Sequence, residues 1–146
     1  LLIMVRFKNR YLLVQLVWGD GKVDQSFSAT ALQRHLRKLI RDGFGDFGSA
    51  LCLQATQVKY LNNLTGLVII RCARAHHQLI WAALSLMTLY EQRKVLARVI
   101  HLGGTIRSCQ KHAIQFNTDL IQSTKSINRV EQIISSSKDI MAIDDS

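Results

Sequence analysis

Between Val58 and Cys72 the pattern of apolar and polar positions changes character twice. Up to the polar pair Asn62-Asn63 it alternates, with Val58 and Tyr60 on one side and Lys59 and Leu61 on the other, as in a half-exposed strand. Gly66 then supplies a residue free to take φ > 0 in a tight hairpin turn. From Leu67 to Cys72 both sides are apolar, Val68, Ile70 and Cys72 pointing one way and Leu67, Ile69 and Arg71 the other. A strand of that kind needs cover on both faces, so it is predicted to be central in its sheet.

The remaining elements fall around it. Arg10 to Val17 is a strand of aliphatic and β-branched residues, followed by a turn over Trp18–Lys22. Ser28 is a candidate N-cap for a helix from Ala29 to about Asp42, with Leu32, Leu36, Leu39 and Ile40 on its apolar stripe and Gly43 at its end. Ser49 to Tyr60 reads as a second strand with a polar interruption near Gln54. His76 to Tyr90 reads as a helix facing the core through Leu79, Ile80, Ala83, Leu84 and Met87. Val95 to His101 reads as a fourth strand. From Thr105 a third helix repeats Ile106, Cys109, Ala113, Phe116 and Leu120. Residues 4–122 then form one α+β domain in the order β-α-β-β-α-β, a ferredoxin-like, RRM-like split βαβ sandwich with an extra C-terminal helix. Residues 123–146 read as a polar, partly mobile tail, although Ile127, Val130 and Ile134 keep a helical spacing. In such a sandwich one sheet face is open. Here that face carries Leu67 and Ile69, so the third helix or a partner protein is expected to cover it, and the pair is a candidate protein interface.

Charge adds the first functional constraint. Nineteen Lys and Arg against ten Asp and Glu give a net charge of +9 and a pI near 10.0. Such an excess points to a polyanion, either nucleic acid or an anionic membrane surface. The membrane is the weaker option, because the longest apolar run, Leu79 to Leu89, is about half of the roughly 20 residues a span needs. Leu1 to Met4 is interrupted by Arg6 and Lys8 before it reaches the length of a signal-peptide core, and Met4 stands as a candidate start. The three cysteines, Cys52, Cys72 and Cys109, are odd in number and far apart, which fits a reducing, intracellular setting.

Catalytic chemistry is scarce. The histidines and cysteines lack zinc-ligand spacing. The carboxylates Asp20, Asp24, Asp42, Asp46 and Glu91 lie apart in loops and element ends, which suits solvation. Neither a nucleophile elbow nor a phosphate loop is present. No metal, cofactor or catalytic residue is expected. Two clusters instead suit anion binding. Gly103 and Gly104 precede the third helix, where free backbone N–H groups and the helix dipole attract phosphate, with Thr105 as cap and hydroxyl donor. Arg107 and Lys111, four apart, share one face of that helix. The same residues also describe an ordinary glycine turn and capped helix with two surface cations. The second cluster is Arg6, Lys8 and Arg10, alternating with Phe7, Asn9 and Tyr11 at the start of the first strand, a pattern suited to tracking a nucleic-acid backbone. It also describes a charged strand end that discourages edge pairing. Arg34, Arg37, Lys38 and Arg41 on the first helix read as a solvated face. The central strands lack the aromatics on which RNA-recognition modules stack bases, so binding of structured RNA by backbone and shape is preferred.

Four segments carry a family resemblance: Met4–Leu13, Val58–Cys72, Gln78–Leu84 and, most strongly, His101–Asn117. Together they resemble the Pop-five family of small protein subunits of ribonuclease P and ribonuclease MRP, over most of Met4 to Asn117. The stretch from Gly19 to Ser28 and everything after Thr118 lie outside the resemblance. The serine-rich end departs from the acidic tail of animal-type members. The resemblance implies an RRM-like, non-catalytic subunit of a ribonucleoprotein in the nucleus, with nucleolar residence. The RNA of that particle would do the chemistry, removing the 5′ leader from precursor tRNA or cleaving ribosomal RNA precursors. It further implies a TIM-barrel subunit as protein partner, catalytic RNA as direct partner and precursor tRNA as an indirect one. Two other readings of the same pattern stay open: a small ferredoxin-like acyl-phosphate hydrolase, for which no Arg opens the first helix, and a regulatory, small-molecule-binding ferredoxin-like dimer that buries its sheet against a second copy.

Overall fold

The computed structural model describes residues 8–22, 24–52, 54–123 and 127–143. Its centre is one antiparallel sheet of five strands in the order β2-β3-β1-β5-β4. The strands are β1 (Asn9–Trp18), β2 (Gln57–Leu61), β3 (Leu67–Ala73), β4 (Leu89–Tyr90) and β5 (Arg93–Gly103). The helices are α1 (Ala29–Cys52), α2 (His77–Leu86), α3 (Ile106–Ser123) and α4 (Ile127–Met141), with a 3-10 turn at Arg74–His76. The core strand order and the β-α-β-β-α-β succession are those of the ferredoxin-like split βαβ fold.

The sheet is covered on both faces. Leu12, Val14, Leu16, Val68, Ile70 and Cys72 pack beneath α1 and α2 with Leu32, Leu36, Ile40, Ile80 and Leu84. Tyr11, Leu13, Leu67 and Ile69 pack on the opposite face against Ile106, Cys109 and Ala113 of α3 and Ile140 of α4. Leu67 and Ile69 are each 0% exposed. The two are therefore core residues covered from within the chain, and the reading of the pair as a protein interface is corrected. β3 is central, as its two apolar faces require.

The hairpin between β2 and β3 turns as its sequence predicts, with Gly66 at φ 74°. The Asn62 side-chain oxygen accepts the Leu64 and Thr65 amides, 2.9 and 3.1 Å. Ser28 Oγ accepts the Ala31 amide at 3.1 Å, which makes it the N-cap of α1.

Three boundaries move. The first helix continues to Cys52 through a kink at Gly45, where φ is 72° and ψ −172°. Beyond the kink Gly48, Ser49 and Cys52 are buried at helical spacing, so Ser49–Cys52 is helix and the second strand is confined to Gln57–Leu61. The second helix stops at Leu86. Met87 turns the chain outward and Leu89–Tyr90 pairs with Arg93–Lys94 through Glu91 and Gln92, both at positive φ. The expected polar tail is, over Ile127–Met141, the helix α4, with Ile133 and Ile140 fully buried. Its serines are structural. Asn117, itself 0% exposed, donates to Ser136 Oγ and Ser137 Oγ at 3.1 and 2.8 Å. The Gln110 side-chain amide donates at 2.9 Å to the carbonyl of Ile140, which also accepts the Ile143 amide at 3.2 Å, tying α3 to the C-terminal end of α4.

Candidate nucleic-acid interface

Register decides which charged residues meet at the end of the sheet. Asn9 pairs with Ala73 and Arg10 with Cys72 on one side of β1, while Tyr11 pairs with Gly103 on the other. The start of β1 therefore lies between the end of β3 and the end of β5, with strands about 4.8 Å apart. A bulge in β5 helps to set this up. Leu13 pairs with His101 but Val14 with Val99, so Ile100 is the extra residue. The shift lets Val99 and Leu102 both reach the α1/α2 side while Ile100 packs under α3.

Of the two anion-binding clusters read from the sequence, this geometry brings parts together. A Cβ placed on Gly104 would lie 3.7 Å from Arg10 Nη1, so the guanidinium stands beside the glycine turn that opens α3. Arg10 also donates to the Asn9 carbonyl at 3.0 Å, which fixes its direction. Gly103 is buried, and a Cβ there would crowd Ser108 Cβ, Ser108 Oγ and His101 Nε2 at 3.2–3.3 Å. Neither glycine is among the positive-φ residues; crowding selects for glycine at position 103, whereas a Cβ on Gly104 would make only an ordinary contact with Arg10. Thr105 Oγ1 accepts the Ser108 amide at 3.3 Å, the cap expected for α3. The other amides of that first turn have no intrahelical acceptor. Arg107 and Lys111 are exposed on the following turns. Lys8 is exposed at the start of β1, and Arg6 lies outside the described residues.

Sequence reasoning missed Arg74. Its backbone amide donates to the Lys8 carbonyl at 2.9 Å, and its exposed side chain extends the row of cations across the sheet end. Only the β1–β3 register reveals this neighbour. A second unpredicted feature is the stack of His101 on His112, with centroids 3.6 Å apart and planes 12° from parallel. His101 Nε2 lies 2.8 Å from Ser108 Oγ. Burial first, and then the charge of His112, hold His101 below its ordinary pKa.

No Asp or Glu occurs in any of the five strands, in the 3-10 turn or in α3 before Asp119. The carboxylates expected to be merely solvated are partly engaged instead. Arg93 binds Asp20 at 3.0 Å and Asp24 at 3.3 Å while lying 4.2 Å over the Trp18 ring. The hydrogen bond from Arg93 holds Asp20 down at about 2. Among the described residues no group of three or more His, Cys, Asp or Glu is placed to hold a metal, and no helix is long and apolar enough to cross a membrane. Cys72 and Cys109 are buried, and burial pushes their thiols up to about 12 and about 11, out of the nucleophilic range.

Comparison with known proteins bears on family and fold. The human ribonuclease P/MRP protein subunit POP5 is 42% identical over 118 residues, covering 78% of this chain and 72% of that protein. The Schizosaccharomyces pombe subunit of the same name is 33% identical over 129 residues, covering 82% of this chain and 93% of its own. A chain in the cryo-EM structure of yeast ribonuclease MRP superimposes with a TM-score of 0.50 at 11% identity, covering 84% of this chain and 100% of its own, a likeness of fold alone. The model of the Rpp14/Pop5 family matches residues 10–114, from the first strand into α3 and across both of its exposed cations, Arg107 and Lys111, and the chain belongs to that family.

Proposed function

We propose that this protein is a non-catalytic RNA-binding subunit of a ribonuclease P or ribonuclease MRP particle. Its role is to stabilise the folded catalytic RNA for removal of tRNA 5′ leaders and for processing of ribosomal RNA precursors. The observation that carries the reading is the acid-free row of cations across the sheet end, from Arg74 and Lys8 past Arg10 to Gly104, Thr105, Arg107 and Lys111. Closely packed RNA strands repel one another, and a row of this kind lowers that cost by replacing condensed counterions. The glycine turn lets backbone N–H groups approach a phosphate, and Arg107 and Lys111 add charge without reading bases. The relatives' names support the assignment to this particle; nuclear and nucleolar residence, and pairing with other subunits, among them a TIM-barrel protein, belong to the proposal. Catalysis belongs to the RNA in this reading, and precursor tRNA is met through it.

The two competing readings fare worse on specific features. In an acyl-phosphate hydrolase the loop after β1 would hold phosphate, but here that loop carries Asp20 and Asp24, gripped by Arg93. A regulatory dimer would bury an open apolar sheet face, but α3 and α4 already cover Leu67 and Ile69.

The test compares two double variants of equal charge. Arg107→Ala with Lys111→Ala should weaken binding of a structured RNA and reduce the log–log salt slope by about 1.8 for duplex-like sites, or about 1.4 for single strands. Arg37→Ala with Lys38→Ala, on the exposed face of α1, should leave the slope within error. Equal losses from both pairs would reduce the effect to net charge and reject the α3 site.

A further inference from the structure

One cleft of about 660 Å³ opens beside the cation row, between the C-terminal part of α1 and the β3–α2 connection. Leu51, Ala55, Ala73 and Ala75 give its lining an apolar part, and Lys8, Arg74 and His76 line it as well, with Asn9 and Gln54. Among the described residues no carboxylate lines it. The volume falls within the roughly 300–1,000 Å³ of sites that enclose a small organic group. Leu51 and Arg74 are exposed, so the cleft is reached directly from the surface.

The position of the cleft is what selects its occupant. Asn9 and Ala73 are paired residues of β1 and β3, and Tyr11 pairs with Gly103. The cleft and the glycine turn of α3 therefore lie on neighbouring strand ends, within about 10 Å. A polyanion following the cations from α3 across Arg10 to Lys8 and Arg74 arrives at a cleft partly lined by apolar side chains. A paired strand cannot use that cleft, because its bases are stacked inward. An unpaired nucleotide can. Its flat base would cover Leu51 and the alanines, its phosphodiester would lie against Lys8 and Arg74, and the amides of Asn9 and Gln54 would face its polar edges. A metal ion finds no acidic ligand here, and an acidic protein segment would gain nothing from continuity with the α3 turn.

We infer that this cleft receives an extruded, unpaired nucleotide of the RNA bound along the sheet end. The inference rests on the RNA-binding reading and adds to it a preference for bulged over continuous duplex. The test uses the purified full-length chain and two RNA hairpins identical except for one bulged uridine. The bulged hairpin should bind about tenfold more tightly. Ala75→Trp fills the cleft at an exposed position without altering charge. It should bring the two affinities within about twofold while leaving that of the paired hairpin unchanged. As a readout independent of any variant, 4-thiouridine at the bulge should photocrosslink to residues 51–55 or 73–76. Equal affinity of the unaltered chain for both hairpins, a preference that survives Ala75→Trp, or crosslinks confined elsewhere would each overturn the proposal. Equal affinity with the α3 salt slope intact would reject the cleft alone, whereas failure to bind either hairpin would reject the RNA-binding reading with it.

Discussion

Gly66 shows how narrowly a single residue can be specified. Its φ of 74° lies in the left-handed region, and a Cβ there would stand 2.4 Å from the Leu16 carbonyl oxygen. The backbone is held at that distance because Leu16 N–H donates to the Gly66 carbonyl at 2.7 Å, tying the β2–β3 turn to β1. Gly66→Ala adds conformational strain and a collision with backbone that has no flexible end to move. We expect it to cost at least about 2 kcal/mol in urea unfolding; a loss under about 0.5 kcal/mol would mean that the turn adopts another conformation. This glycine was legible in the sequence because it followed Asn62-Asn63 and preceded a run apolar on both faces. Arg74 was not legible as a site residue, since its place beside Lys8 depends on a pairing register that no local pattern encodes.

At the scale of elements, abutting helices and shared faces decided what could be read. Gly43 resembles a helix stop, but the break comes two residues later at Gly45, and the chain resumes helix with Ser49 and Cys52 inward. A short apolar stretch after a glycine can be strand or helix, and only burial distinguishes them. α4 was hidden for a different reason. Ser135-Ser136-Ser137 suggests a solvated end, whereas Ser136 is buried and bonded to Asn117, and Ile133 and Ile140, seven apart, bury fully. The junction of β5 and α3 yields a prediction at this scale. Burial and the neighbouring His112 lower the pKa of His101, and burial together with Lys38 lowers that of His35. A depressed folded-state pKa means that the unfolded chain binds more protons, so this stability is present above the unfolded value of about 6.5 and is lost as pH falls below it. Thermal unfolding should hold steady above about pH 7 and fall between about pH 6.5 and 5. His101→Gln should flatten part of that fall, with His35 accounting for the remainder. A profile unchanged by His101→Gln would show that protonation of the stacked pair is not coupled to folding.

For the molecule as a whole, the sheet separates two tasks. Two helical layers close both faces, so neither face offers an open platform for stacking bases of the kind RNA-recognition modules use. The proposed RNA site is the sheet's end, where β1, β3 and β5 converge with α3 and where no strand contributes an acid. The ferredoxin-like class, the candidate positions Lys8, Arg10, Gly103, Gly104, Thr105, Arg107 and Lys111 and the lack of base-stacking aromatics on the central strands were all readable as sequence. That they form one row was not, because it follows from strand order. The most direct test of the account is recovery of the protein from its own cells under conditions that preserve ribonucleoproteins, followed by sequencing of the RNA that accompanies it. The account predicts strong enrichment of the RNA of ribonuclease P, of ribonuclease MRP or of both, and no precursor-tRNA cleavage once that RNA is digested away. Recovery without RNA, with an unselected RNA mixture, or with cleavage activity that survives RNA removal would contradict it.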